Sequence, residues 1–342
     1  MKAVCILILA AAAAGGVFAT LTHEKVSLYQ QILPERVHSE ESYRMIFLGD
    51  IMLARDVERK MATYGRDYPF SHMASHFDAN TVVGNFEAAV PEVHVPTPSM
   101  TMQFSVPAQN IPALAGARIT HLSLANNHTD DYGKVGFAHT KHVIENTGIT
   151  PFGSPFSLAT TSIAYIETEQ LTIALLGIYA VEVLPSTEVI EEVMWEAEAR
   201  SDFQVVYVHW GNEYELVHSR AQEQLAHRFV DAGADLVVGH HPHVVQDVEV
   251  YNEALIFYSL GNFIFDQYFS THVMQGLVLD ITFDTQYEAE ITLLPVSTEA
   301  SRTAPQLMNG YEREAFLKSL ADRSSGSLRG PIERGKVGLQ FQ

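Results

Sequence analysis

Residues 234–246 read Ala-Asp-Leu-Val-Val-Gly-His-His-Pro-His-Val-Val-Gln. Leu236 to Val238 is a brief, partly β-branched apolar run closed by a glycine, which is the pattern of a short buried strand. Gly239 gives the backbone freedom to turn, and Pro242 stiffens the loop that follows. That loop carries His240, His241 and His243. Neutral imidazole is a common metal ligand, and neighbouring rings on a rigid loop can be aimed at one centre. The plain alternative is a surface loop that happens to be rich in histidine. Against it stands the recurrence of the same pattern along the chain.

The recurring pattern is an apolar strand that ends in a polar cluster. A strand over Tyr43 to Leu48 ends in Gly49-Asp50, and one over Thr81 to Val83 ends in Gly84-Asn85-Phe86-Glu87. A third, Ile119 to Leu124, leads to Asn126-Asn127-His128 and on to Asp131, and a fourth, Phe203 to Val208, leads to His209-Trp210. Leu255 to Ser259 opens into Leu260-Gly261-Asn262. Taken alone, Asp50 reads better as the N-cap of a helix over Ile51 to Tyr64 than as a metal ligand. Helical spacing also covers Lys134 to Asn146, Val189 to Arg200 and Arg220 to Ala232, with a short helix over Pro107 to Gly116. Ser162 to Glu167 and Leu171 to Tyr179 read as a hairpin, and Gly276 to Phe283 with Glu288 to Leu294 as a late antiparallel pair. Short strands are expected at Phe104 to Val106 and Val248 to Tyr251, and a surface loop over Pro91 to Pro98.

Strands alternating with helices, followed by hairpins, predict an α/β layered domain with mixed sheets. In such sheets ligands collect outside the C-terminal ends of the strands. Asp50, Glu87, Asn127, His209 and the histidines at 240 to 243 all fall at such ends, which predicts one shared metal centre. A mixture of imidazole, carboxylate and amide suits manganese, zinc or iron better than calcium. Asn85, Trp210 and Asn262 are candidate substrate contacts. Trp210 could instead pack beneath the site, and Asn262 could instead position a loop near the metals.

The chain has 342 residues and a formal net charge of −20. That acidity argues against a nucleic-acid surface. It also means that an anionic substrate needs a locally positive site, which bound metal would supply. Residues 3–21 form an apolar, alanine-rich run after Lys2, which reads as a signal peptide or an N-terminal membrane anchor. Either way the body of the protein is expected outside the cytoplasm, secreted or membrane-anchored. The single cysteine, Cys5, lies in that run, so the domain beyond it has no disulfide and no cysteine chemistry. Residues 22–43 read as a linker, 44–300 as one domain, and 301–342 as a helix over Tyr311 to Ala321 followed by a mobile tail.

Six motifs in order resemble the bacterial capsule-synthesis family CapA/PgsA, the poly-γ-glutamate capsule proteins of the calcineurin-like metallophosphoesterase superfamily. They are Phe47-Leu48-Gly49-Asp50, Gly84-Asn85-Phe86-Glu87, Asn126-Asn127-His128 through Asp131-Tyr132-Gly133, His209-Trp210-Gly211-Asn212-Glu213-Tyr214, Gly239-His240-His241-Pro242-His243 and Tyr258-Ser259-Leu260-Gly261-Asn262-Phe263. The resemblance implies a four-layer αββα sandwich with a two-metal site. In it Asp50 binds the first metal, Glu87 bridges, Asn127 and His209 bind the second, and His241 with His243 completes the set. His240 is the alternative to His241. His128 matches a histidine that protonates the leaving group; Asp131 is close enough to it in sequence to orient it. Two departures stand out: the Asp-x-His of the first motif lacks its histidine, since Ile51 and Met52 follow Asp50, and the bridging position carries a glutamate two residues after an asparagine. The implied partners are a capsule polymer or a phosphorylated substrate, and a membrane-bound polymer ligase or export protein. Two function classes follow, an exported capsule-assembly factor and a secreted metal-dependent phosphoesterase or polymer hydrolase.

Overall fold

Side chains alternate between the two faces of a strand, and in this chain the alternation sorts the core into three layers. The computed structural model describes residues 42–98, 101–284 and 288–341. The expected signal or anchor (3–21) and nearly all of the linker lie outside the described residues. Strands β1 (Tyr43–Ile51), β2 (Thr81–Phe86), β3 (His121–Ser123) and β4 (Thr150–Phe152) run parallel side by side in a first sheet. The chain then crosses to a second sheet formed by β5 (Ile163–Glu167), β6 (Thr172–Ala180), β7 (Phe203–Trp210), β8 (Leu236–His240), β9 (Val248–Tyr251) and β10 (Ala254–Phe257), in the order β5-β6-β7-β8-β10-β9. It returns to the first sheet with β11 (Asn262–Ile264), β12 (Gln275–Phe283), β13 (Glu288–Ser297), β14 (Gln306–Leu307) and β15 (Lys336–Gln340).

Met45, Phe47 and Val83 of the first sheet meet Leu175, Val205 and Leu236 of the second in the central layer. The intervening residues Ile46, Leu48 and Val82 face outward and pack on Val57 and Met61 of α1 (Arg55–Tyr64), Leu114 of α2 (Pro112–Gly116) and Ile144 of α3 (Gly133–Glu145). On the far side Leu176, Val206 and Val237 cover Ile190 and Val193 of α4 (Thr187–Glu198) and Leu225 and Phe229 of α5 (Arg220–Asp231). The result is the expected four-layer αββα sandwich with mixed sheets. Among the described residues no helix is long and apolar enough to cross a membrane.

Three expectations change. Asp50 is not a helix cap, because β1 runs on to Ile51 and α1 begins at Arg55 behind Ala54. Phe104 to Val106 is not a full strand: Ser105 bridges Ala89 alone, with Ala89 N bonded to Phe104 O and Val106 N to Ala89 O. The tail after residue 300 is part of the sandwich. Helix α6 (Gly310–Arg323) buries Phe316, Leu317 and Leu320 against the central layer. After α7 (Arg329–Arg334), β15 pairs antiparallel with β13 and buries Val337 and Leu339, with Phe341 following. The apolar residues at 337, 339 and 341 carry the two-residue period of a half-buried strand.

Candidate metal centre

The strand register gathers the site. At the end of β1, Asp50 lies between Asn85 of β2 and Asn262 of β11. In the facing sheet, His209 at the end of β7 is paired with His240 at the end of β8. Gly239 does not make the turn after β8. A Cβ there would stand 1.9 Å from Tyr258 O and 2.6 Å from the Trp210 indole nitrogen, so glycine is needed for close approach. The turning is done by His241 (φ 96°) and His243 (φ 58°). Left-handed backbone at non-glycine residues costs on the order of 1–3 kcal/mol each and persists where the surroundings hold it. One such hold is the Tyr214 backbone, whose N–H donates to Pro242 O between them at 2.8 Å.

Asp50, Glu87 and His243 each offer a ligand atom within 4.8 Å of the others, and all three are buried. Glu87 is fully buried, and neither carboxylate oxygen has a hydrogen-bond partner among the described residues. Its Oε1 lies 3.7 Å from His243 Nε2 and 3.9 Å from His128 Nε2. Burial, and then the Asp50 charge, push the Glu87 carboxyl well above the usual range. Burial would raise Asp50 too, but the imidazoles of His240 and His243, with Nδ1 atoms 3.2 and 3.5 Å from its oxygens, outweigh it and hold that carboxyl well below. Buried carboxylates are almost always paired. An orphan beside a second carboxylate and an imidazole is the arrangement that a divalent cation satisfies. The residues present therefore fit a metal.

The other predicted ligands behave differently. Asn127 and His209 are brought together, but they bond to each other, with His209 Nε2 2.8 Å from Asn127 Oδ1. Burial, and then the neighbouring His241, hold the His209 imidazole well below its ordinary value. His241 has a buried Nδ1 without a partner among the described residues, and its ring lies 4.8 Å from that of His209 and 6.0 Å from that of His243. Burial, with His243 next, pulls it down to about 4. His240 packs on Tyr207 and brings Nδ1 to 3.2 Å from Asp50 Oδ1 without hydrogen-bond alignment. Both alternatives thus stand beside Asp50 or His209, and neither falls within the Asp50–Glu87–His243 group.

His128 Nδ1 is 3.0 Å from Asp131 Oδ2, which also accepts from Phe104 N, and the His128 ring stacks on Phe104 at 3.9 Å. The expected orienting role of Asp131 therefore has its geometry. Trp210 is not a substrate wall: it is 1% exposed, stacks on Phe229 and Tyr258, and donates to Tyr258 O. Asn262 is 4% exposed and holds the His243 ring through Oδ1 to Nδ1 at 3.0 Å. Asn85 is 1% exposed and sits between Asp50 and His209.

Sequence reading passed over Arg55. Its guanidinium is hydrogen-bonded through Nε and Nη2 to Asp266 and lies 4.5 Å from the centre of the Phe104 ring, on which His128 also stacks. The clue was an arginine and an aspartate in two of the polar strand-end stretches. Tyr214, which with Trp210 flanks His209 in the sequence and could wall a substrate or pack beneath the site, does not pack beneath it. It faces the His243 ring at 6.1 Å and is the exposed rim of the site.

A family model described as bacterial capsule synthesis protein PGA_cap matches residues 44–267. The PGA biosynthesis protein CapA of Bacillus subtilis (strain 168) is 31% identical over 319 residues, covering 88% of this chain and 83% of that protein. The capsule biosynthesis protein CapA of Bacillus anthracis is 29% identical over 321 residues, covering 87% of this chain and 78% of that one. Among solved structures, a hypothetical protein from Thermus thermophilus is 15% identical with a TM-score of 0.45, covering 78% of this chain and 98% of that chain. By the extent of the family match and the identity to the first relative, this chain belongs to the bacterial capsule synthesis family PGA_cap.

Proposed function

We propose that this protein acts outside the cytoplasm in assembling or exporting a poly-γ-glutamate-type capsule polymer, and that it does so with divalent metal held by Asp50, Glu87 and His243. The observation that carries the metal reading is Glu87, a buried carboxylate with both oxygens unpartnered among the described residues, beside Asp50 and His243. The polymer reading follows from membership of the family and from the names of the Bacillus relatives. The apolar run at residues 3–21 supports export, by cleavage or by anchoring. A polymer ligase or export protein in the membrane is the partner this role requires. Bound at this site, a cation of the manganese, zinc or iron class supplies positive charge for a carboxylate or phosphate in an otherwise acidic protein. Around it the chain's own residues have separate tasks. Asn262 holds the His243 ring, Asp131 holds His128, and His128 can keep or pass a proton at Nε2 near Glu87.

The His128–Asp131 pair also favours a second reading, hydrolysis of a phosphate ester or of the polymer, because a histidine oriented by a carboxylate is suited to general acid–base work. One experiment separates the two. The gene is deleted in the source organism and restored as wild type, as Glu87→Gln or as His128→Ala, and surface polymer is assayed. The assembly role predicts loss of polymer on deletion and no rescue by Glu87→Gln. Unchanged polymer in the deletion strain, together with phosphatase activity of the purified chain that His128→Ala abolishes, would establish the hydrolase instead.

A further inference from the structure

The hydrogen-bond directions around Asn85 fix which lone pairs the site has to offer. Asn126 Oδ1 receives two backbone N–H groups, from His128 and Thr129, each at 3.1 Å. Its Nδ2 donates to the backbone oxygen of Phe86 at 2.8 Å. Those partners have no choice of role, so the Asn126 amide has one orientation. The same Nδ2 lies 3.0 Å from the Asn85 side chain, and the atom it meets must be Oδ1. Asn85 therefore turns its NH2 group toward Asp50 Oδ1, 2.8 Å away, and toward His209 Nδ1, 3.2 Å away. His209 must accept at Nδ1, so the proton of the neutral ring sits on Nε2 and is donated to Asn127 Oδ1. Neither ring nitrogen of His209 has a lone pair left for a cation.

The opposite half of the site is arranged the other way. Asn262 Nδ2 donates to the backbone oxygen of Val273 at 3.0 Å, which turns its Oδ1 to His243 Nδ1. His243 thus carries its proton on Nδ1 and keeps the Nε2 lone pair facing Glu87, whose two oxygens are also free. The side chain standing between the two halves is a neutral amide that presents hydrogens. A group that bridges two cations needs an anionic oxygen there.

Resting on the metal-binding reading above, we propose that the centre holds one divalent cation, at Asp50, Glu87 and His243, and that Asn85 closes the second position by holding His209 and Asn127 in a hydrogen-bonded pair. Asn85 is a positioning residue in this account, and Asn126 fixes its orientation.

The test uses the purified full chain, wild type and Asn85→Asp, each incubated with manganese and freed of excess. Metal is counted by elemental analysis, and electron paramagnetic resonance reports whether the ions are isolated or coupled. Wild type is expected to hold about one equivalent with an isolated-ion spectrum, because ligand number and charge set occupancy. Asn85→Asp supplies the missing anionic oxygen and releases His209 Nδ1, so a second equivalent and a coupled spectrum are expected. Two equivalents in wild type, or a folded Asn85→Asp that stays at one, would overturn the proposal. Wild type with no bound metal would overturn the metal-binding reading itself. His209→Ala covers the case in which Asn85→Asp does not fold: retention of one equivalent supports a single-cation centre, and loss of it refutes that centre.

Discussion

Glu87→Gln should stabilise the metal-free protein and destabilise the metal-loaded one. In the chelated protein Glu87 is a fully buried carboxyl without a hydrogen-bond partner among the described residues, next to the Asp50 carboxylate. Its folded-state proton affinity is raised above the ordinary value of 4.5, by burial first and Asp50 second. The native state thus holds a proton that the unfolded chain releases. Stability from this group is fully present below about pH 4.5 and is lost as pH rises toward the folded-state value. Glutamine removes the titration. A buried glutamine is as unpartnered as glutamate but cannot ionise, and an unsatisfied buried group costs more when charged, so near pH 8 chelated Glu87→Gln should exceed chelated wild type by that excess, on the order of 1–3 kcal/mol. For a domain of this size, that is roughly 2–8 °C in Tm. With metal in excess the order reverses. A cation at about a hundred times its Kd adds about 2.7 kcal/mol, and the variant forfeits most of that gain with an anionic ligand. The assay is thermal unfolding of both proteins, with chelator and with manganese, between about pH 5 and 8. A variant less stable than wild type in both conditions, or more stable in both, would refute the reasoning.

Three further outcomes follow from the packing. Asp235 is raised to about 6 by burial, with the Glu198 charge adding to it, and accepts a hydrogen bond from Gln204 N at 2.8 Å. Its native form favours the proton, so this group's stability falls as pH climbs from 3.8 to about 6; Asp235→Asn should gain about 1–3 kcal/mol above that window and nothing near its lower end, as read by urea unfolding. Leu339→Ala should cost about 2–4 kcal/mol in the same assay, because β15 closes the central layer rather than trailing from it. Gly239→Ala should prevent folding to the native state, since its Cβ would meet Tyr258 O at 1.9 Å, whereas Gly338→Ala, with nothing within 4 Å, should fold normally with an unchanged circular dichroism spectrum.

Much of the fold was readable because its strands are short apolar runs that end in glycine and polar residues, and their C-terminal ends converge in a parallel sheet. Asp50, Glu87, His209 and the histidine loop were found on that basis. The structure brings them to one place. What the strand pattern does not contain is the direction of each hydrogen bond. Nothing in Asn126-Asn127-His128 tells that Asn126 faces Asn85 while Asn127 faces His209; that depends on the register of β1, β2 and β7 across two sheets. Trp210 was ambiguous for a related reason: adjacent residues on a strand point to opposite faces, so His209 in the site puts Trp210 in the helix-facing core. The serine, glycine and arginine content of the tail points to mobility, and the structure shows a packed helix and strand instead. The period of Val337, Leu339 and Phe341 is a better guide than composition, because pairing with β13 buries every second residue.

The most direct test of the account is anomalous scattering from crystals of this protein grown without chelator and soaked in manganese. The account predicts a peak within coordination distance of the Asp50 and Glu87 carboxylates and His243 Nε2. No peak there, or a peak only at the half-buried cluster of Glu223 and His227 on α5 with Glu249 on β9, would contradict it.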